Sequence, residues 1–169
     1  MSFIKKSVVS ISLVLLLLTG LSGCKTAPEM SPMQKRQITT RSIDGGYQNI
    51  FKAIMTVLQD NMYIIKDTKM DTGLILAEVN RETDKKSQFF QKIYSETGAI
   101  SNKGTIIEVS STVDKISETT SEVRLTIQEK VYSDTGGTTK VKQILDPIVY
   151  EKLFNDITVE LKRREAYGK

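Results

Sequence analysis

Thr105-Ile106-Ile107-Glu108-Val109-Ser110-Ser111-Thr112-Val113 places Ile107, Val109, Ser111 and Val113 at every second position. A period of two is that of a half-buried strand, because successive side chains point to opposite faces. The alternation returns at Val123, Leu125 and Ile127 and, less strictly, at Val131, after the short polar link Ser117-Glu118-Thr119-Thr120. Long strands joined by such a link form an antiparallel ribbon. Serines and threonines at the alternate positions leave one face of the sheet in water, which an antiparallel sheet tolerates when helices cover only the other face. Asp134-Thr135-Gly136-Gly137 reads as a second turn, leading into a further strand over 139–145.

Outward from this ribbon the periods change. Asp146-Pro147 opens a final helix with a cap and a first-turn proline, and Tyr150, Leu153, Phe154, Ile157 and Leu161 make its apolar stripe. Lys162, Arg163 and Arg164 fall near its end, where the helix dipole favours cations. That structural role outweighs a phosphate or lipid-headgroup site. Upstream, 37–43 carries the β-branched residues of a first strand, and Asp44 reads as the N-cap of a helix over 44–61. Tyr47, Ile50, Phe51, Ile54 and Leu58 line one face of this helix. Met62-Tyr63-Ile64-Ile65-Lys66 and Leu74-Ile75-Leu76-Ala77-Glu78-Val79 read as paired strands around a turn in which Gly73 supplies positive φ. The expected fold is α+β: two layers, one antiparallel sheet with two helices packed on one face, spanning 37–165.

Residues 83–103 interrupt the pattern. Phe89, Phe90, Ile93 and Tyr94 stand between polar runs, and a connection this long inside a small domain is expected to be functional or disordered. The reading is a loop or partly helical flap whose four apolar residues contact a partner.

The N-terminus is of another kind. Lys5 and Lys6 precede an apolar run from Val8 to Leu18, the order of a secretion signal and short for a bilayer span. It closes on Leu21-Ser22-Gly23-Cys24, which resembles the bacterial lipobox. That resemblance implies cleavage after Gly23, palmitate-type acyl chains on Cys24, and a mature chain anchored to a membrane rather than spanning it. Two or three chains hold firmly where one holds marginally. In enteric-type bacteria an Asp after the cysteine retains a lipoprotein in the inner membrane. Lys25 stands there instead, so the periplasmic face of the outer membrane is favoured. Residues 1–23 are then the signal peptide, and 24–36, with Pro28 and Pro32, a lipidated cysteine and flexible tether.

Composition narrows the chemistry. Removing 1–23 from 169 residues leaves 146, enough for one domain with a real core. The mature chain holds 22 basic and 20 acidic residues, a balance that calls for no nucleic acid. Cys24 is the single cysteine, and histidine and tryptophan are absent. Stability therefore owes nothing to disulfides, and imidazole-dependent triads, haem ligation by His and zinc sites of the His or Cys type are excluded. No metal, cofactor or catalytic residue is expected. Paired carboxylates remain the one hydrolytic chemistry open, with Asp67/Asp71 and Glu118/Glu122 as sequence neighbours beside turns.

Met30-Ser31-Pro32-Met33-Gln34-Lys35-Arg36-Gln37, Phe51-Lys52-Ala53, Val57-Leu58-Gln59-Asp60-Asn61, Gly73-Leu74-Ile75, Asp146-Pro147-Ile148-Val149-Tyr150 and Phe154 together resemble a group of uncharacterised bacterial lipoproteins. The resemblance covers most of 24–161 and implies a lipid-anchored α+β domain without an assigned reaction or ligand. In architecture alone, the run of helix, strand, Gly-Leu-Ile turn and strand is similar to the helix-grip modules of the lipoprotein subunit of the outer-membrane barrel-assembly machinery. The expected function is a non-enzymatic envelope module that binds a protein partner or supports an assembly. Its alternatives are an apolar-ligand carrier, with a cavity between helices and sheet, and a carboxylate-based hydrolase.

Overall fold

The computed structural model describes residues 30–80, 104–132 and 137–168. Its centre is the ribbon of β4 (Thr105–Lys115) and β5 (Thr120–Tyr132), antiparallel, with Val109 opposite Ile127 and Val113 opposite Val123. Alternate positions of both strands are buried on one face, as their period of two requires. On the far side of β4 lie β3 (Leu74–Asn80) and then β2 (Ile64–Lys69). The other edge of β5 is shared end to end: β1 (Thr40–Asp44) pairs with Thr120–Arg124, and β6 (Thr138–Ile144) pairs with Ile127–Tyr132. All pairings are antiparallel, in the order β1-β5-β4-β3-β2 with β6 also on β5.

Two long helices close the apolar face. Helix α2 (Tyr47–Asp60) buries Ile50, Phe51, Ala53, Ile54, Val57 and Leu58. The last helix, α3 (Pro147–Tyr167), buries Val149, Tyr150, Leu153, Phe154, Ile157 and Leu161. They pack on each other and join Ile75, Ala77, Val79, Ile107, Val109, Val113, Val123, Leu125 and Ile127 in one core. Each large side chain so buried is worth roughly 1.5–3 kcal/mol relative to exposure. The domain is thus α+β, a multi-stranded antiparallel sheet with helices against it.

Helix α1 (Pro32–Thr39) was not expected, since its first five residues belong to the stretch read as tether. Pro32 sits at the first helical turn, where its missing N–H is harmless. Ser31 and Gln34 form a capping box: Gln34 N–H donates to Ser31 Oγ at 3.2 Å, and Ser31 N–H to Gln34 Oε1 at 2.8 Å. Ile38 packs on the core and Thr39 is buried. Strand β1 consequently begins at Thr40.

Asp44 is not the cap of α2. It ends β1 opposite Thr120 and accepts a hydrogen bond from the Thr120 hydroxyl at 3.3 Å. The helix begins after Gly46, which caps it without a side-chain hydrogen bond. Gly45, at φ +152°, makes the corner, and a Cβ there would lie 2.6 Å from Leu161 Cδ2. Gly73 does take positive φ, at +69°, and a Cβ there would meet the Val113 carbonyl oxygen at 2.1 Å. Only glycine lets the β2–β3 turn lie this close to β4. The stretch read as a turn at 134–137 and the insertion at 83–103 lie, but for Gly137, outside the described residues.

Candidate functional site

A cleft of about 640 Å³ opens where the end of β1 meets α3. Ser42, Ile43 and Asp44 supply one wall, Gly45 and Gly46 the floor beside the start of α2, and Thr119 the β4–β5 turn. Thr158, Leu161, Lys162 and Glu165 of α3 form the opposite wall. Gly45 N–H donates to the Thr119 carbonyl at 2.7 Å, and the Thr158 hydroxyl donates to the Phe154 carbonyl at 2.8 Å. The cleft offers hydroxyls, the backbone at an uncapped helix start, an ammonium and two carboxylates over an apolar strip of Ile43 and Leu161. That set suits a polar ligand or a partner's side chain carrying both charges. Between helices and sheet, by contrast, the space is filled by Tyr150, Phe51, Ile50, Ile54, Leu125 and Leu153, each no more than 2% exposed.

Of the cationic trio on α3, only Lys162 faces this cleft. Arg163 and Arg164 turn to Glu160, which is 8% exposed. Arg163 Nε donates to Glu160 Oε2 at 2.6 Å and its Nη2 to Oε1 at 2.8 Å; Arg164 Nε also donates to Oε1, at 2.8 Å. Arg164 Nη2 reaches Thr56 Oγ1 of α2 at 2.6 Å. The Arg163 hydrogen bonds first, and then both guanidinium charges, hold the Glu160 carboxyl below its usual range against the opposing effect of burial. The group is a clamp between helices, a more specific role than the helix-end dipole effect expected of it.

A second polar tie joins α3 to the sheet. The Tyr150 hydroxyl accepts from Ile127 N–H at 3.2 Å and donates to the Ile144 carbonyl at 3.0 Å. It bridges β5 and β6 at a directly opposed pair, Ile127 and Ile144. Burial pushes its phenol up to about 12. The Tyr47 hydroxyl donates to the Met70 carbonyl, and its phenol is raised first by burial and then by Asp71 and Asp114.

The sequence-neighbour carboxylates do not form a site. Asp67 and Asp71 are exposed on β2 and in the turn after it. Glu118, 88% exposed, pairs with Lys115 at 2.5 Å, while Glu122 lies on β5 opposite Asp114. The sheet creates different neighbours: Glu78 faces Glu108 across β3 and β4, and each is held by a lysine, Lys66 at 2.7 Å and Lys130 at 2.6 Å. Like charges directly opposed are unfavourable, and the two lysines offset them. Among the described residues no group of three acidic or sulfur ligands could hold a metal ion, and no helix is long and apolar enough to cross a membrane. Leu21, Ser22, Gly23, Cys24, Phe89, Phe90, Ile93 and Tyr94 lie outside the described residues. The cleft itself escaped sequence reasoning. Its one local signal was Gly45-Gly46, a pair between strand and helix that marks a close approach of backbone.

No family model matches the chain, and no curated protein does. Among solved structures it is similar to the adenylate sensor from AMP-activated protein kinase in complex with an aminoimidazole carboxamide ribonucleotide. The identity there is 11%, over 72% of this chain and 93% of that one, with a TM-score of 0.39. It is also similar to a DUF4468 family protein from Bacteroides ovatus, with 13% identity over 82% of this chain and 91% of that one and a TM-score of 0.37. Similarity at this level carries no functional argument.

Proposed function

We propose that this protein is a lipid-anchored, non-enzymatic binding module of the bacterial envelope, held by acyl chains on Cys24 and engaging an envelope protein through the cleft between β1 and α3. Lys25 after the cysteine favours the periplasmic face of the outer membrane. The observation that carries the binding role is the cleft, an open concavity with glycine backbone for a floor and mixed charge on its walls. Concave sites with a few convergent polar groups are where ligands and partner side chains dock.

Photo-crosslinking in living cells tests this reading, with the reactive group placed at Thr158 or Lys162 in the cleft and at Thr126 on the outer sheet face. Crosslinks from the cleft to one envelope protein, absent from Thr126, are the expected result. Cleft positions that crosslink to nothing, or no more than Thr126 does, overturn it. The anchor is tested separately: Cys24→Ser is expected to leave the membrane fraction while keeping its melting transition. Persistence in carbonate-washed membranes sinks the lipid anchor.

The same cleft favours a second reading, a carrier of a small ligand. Its Ile43 and Leu161 strip would meet the apolar part of such a ligand and Lys162 its anionic part. Native mass spectrometry of protein purified without detergent distinguishes the two, since a carrier retains a bound small molecule that Lys162→Glu expels. The placement of Asp67, Asp71, Glu118 and Glu122 gives the hydrolase reading no support.

A further inference from the structure

We infer that the exposed face of α1, led by Met33 and Arg36, rests on an anionic lipid surface when the chain is anchored. The inference depends on acylation of Cys24. Given that anchor, reach comes first. Ser31 follows Cys24 by seven residues, at most about 25 Å of extended chain. Helix α1 is therefore the first described element along the chain after the anchor, and a short tether keeps it within reach of the surface.

Charge comes second. From Lys25 to Ile43 four cations (Lys25, Lys35, Arg36, Arg41) stand with one acid, Glu29, a net +3. Residues 44–169 hold 18 basic and 19 acidic residues, a net −1. The entire positive excess of the mature chain thus adjoins the anchor, and the remainder is slightly acidic. Such a division draws this end toward an anionic surface and leaves the rest in solution.

The third observation is the helix face. Met33 is 67% exposed. Positions 33, 36 and 37 share one side of an α-helix, and Arg36 and Gln37 are exposed with Met33. Ile38 and Thr39 turn the opposite side to the domain. The Arg41 guanidinium donates to the carbonyls of Gln37, at 2.5 Å, and Thr40, at 3.0 Å, and stands 5.4 Å from the centre of the Phe154 ring. This fixes α1 on the body of the domain, so its outer face is presented rigidly. A long apolar side chain flanked by cations on a short helix fits the interfacial zone and not the hydrocarbon core. Tethering makes the contact effectively intramolecular, so a weak surface suffices.

The test uses the full, lipidated chain. Acylation consumes the Cys24 thiol, so Met33→Cys introduces a single free thiol for an environment-sensitive fluorophore, and Thr126→Cys does the same on the outer sheet face. Both are placed in vesicles of phosphatidylethanolamine with phosphatidylglycerol, and in vesicles of phosphatidylcholine alone. Circular dichroism confirms that each labelled variant keeps its fold. The expected result is quenching of the label at 33 by headgroup-level nitroxide lipid in anionic vesicles, with position 126 remaining in water. Arg36→Glu, high salt or phosphatidylcholine should each weaken that quenching by at least about fivefold, since fivefold is roughly the share of a single cation at an anionic surface. Equal quenching at 33 and 126, or quenching at 33 untouched by Arg36→Glu, overturns the inference while leaving the anchor intact. If mass spectrometry finds no acyl chain on Cys24, the anchor fails and this inference fails with it.

Discussion

Tyr150 and Glu160 lie ten residues apart on α3, not quite three turns, and both are polar groups held in the packed layer. The resemblance ends there. Tyr150 is neutral and joins the helix to the sheet, satisfying Ile127 N–H and the Ile144 carbonyl through one hydroxyl. Glu160 is charged and joins helix to helix, through Arg164 to Thr56, with Arg163 closing the other side. A neutral bridge is indifferent to pH until its own proton leaves. A charged clamp fails when its carboxylate gains one. One helix therefore carries both an acid and an alkaline limit of stability, separated by Leu153, Phe154 and Ile157.

The largest expected effect removes the body that both ties depend on. Phe154→Ala should cost about 3–5 kcal/mol, the range for truncating a buried aromatic, and it also deletes the ring beneath Arg41. Urea unfolding followed by circular dichroism measures it. A loss below about 0.5 kcal/mol would mean that α3 is held by its polar ties rather than by its stripe.

Tyr150→Phe comes next, at about 1–3 kcal/mol, because it leaves a buried N–H and a half-buried carbonyl without their hydroxyl. Its pH signature is sharper. The folded phenol lies at about 12 against 10 for the free side chain. The neutral form is the one the fold holds, so this contribution is complete below pH 10 and lost as pH rises toward 12. Two units correspond to about 3 kcal/mol. Melting curves across that range should fall for the parent protein, and the Phe variant should lack this component. Parallel curves would dissolve the contrast with Glu160.

Glu160→Gln should cost about 1 kcal/mol near neutral pH, since Arg163 is more than half exposed and solvent screens its pairing. The sign is opposite to that of Tyr150. The folded carboxyl titrates below its usual value, so the clamp is complete above the ordinary carboxylate range and is lost as pH falls below it. Parent and variant should differ at pH 7 and converge in acid. A gap that persists at low pH would show packing, not charge, at work.

The smallest effect tests a buried polar atom with no tie at all. Ser111 is fully buried on β4, and its hydroxyl has no hydrogen-bond partner among the described residues. Ser111→Ala should be neutral or stabilising by up to about 1 kcal/mol, because an unpaired buried hydroxyl carries a desolvation cost. Destabilisation beyond that size would reveal a partner for Ser111 and place it with Tyr150.

Much of the layer structure was legible because it repeats. The alternation of Ile107, Val109, Val123, Leu125 and Ile127 needs one buried face to be expressed, and it received one. Asp146 was recognisable as a cap, and its Oδ1 accepts from Ile148 N–H at 2.9 Å. Asp44 shows the limit. An aspartate before a helix caps it in one context and ends a strand in another, and pairing with Thr120, far along the chain, decided between them. Ser31 was legible in principle, since Ser-x-x-Gln after a proline-rich start is a capping box. Pro32 obscured it, because together with Pro28 it reads as part of a flexible tether.

Residue type and period alone determined that this chain makes an antiparallel sheet with helices on one face, that Gly73 supplies the positive φ of a turn, and that imidazole and disulfide chemistry are absent. These follow from local sterics, hydrophobic period and the inventory of side chains, none of which needs a distant partner. Tertiary structure decided the rest. Glu78 faces Glu108, Thr56 receives Arg164, Tyr150 reaches Ile127, and the cleft draws Asp44, Thr119 and Lys162 together from three separate elements. No local pattern records such meetings, because strand register and helix packing are set by burying the whole apolar face at once.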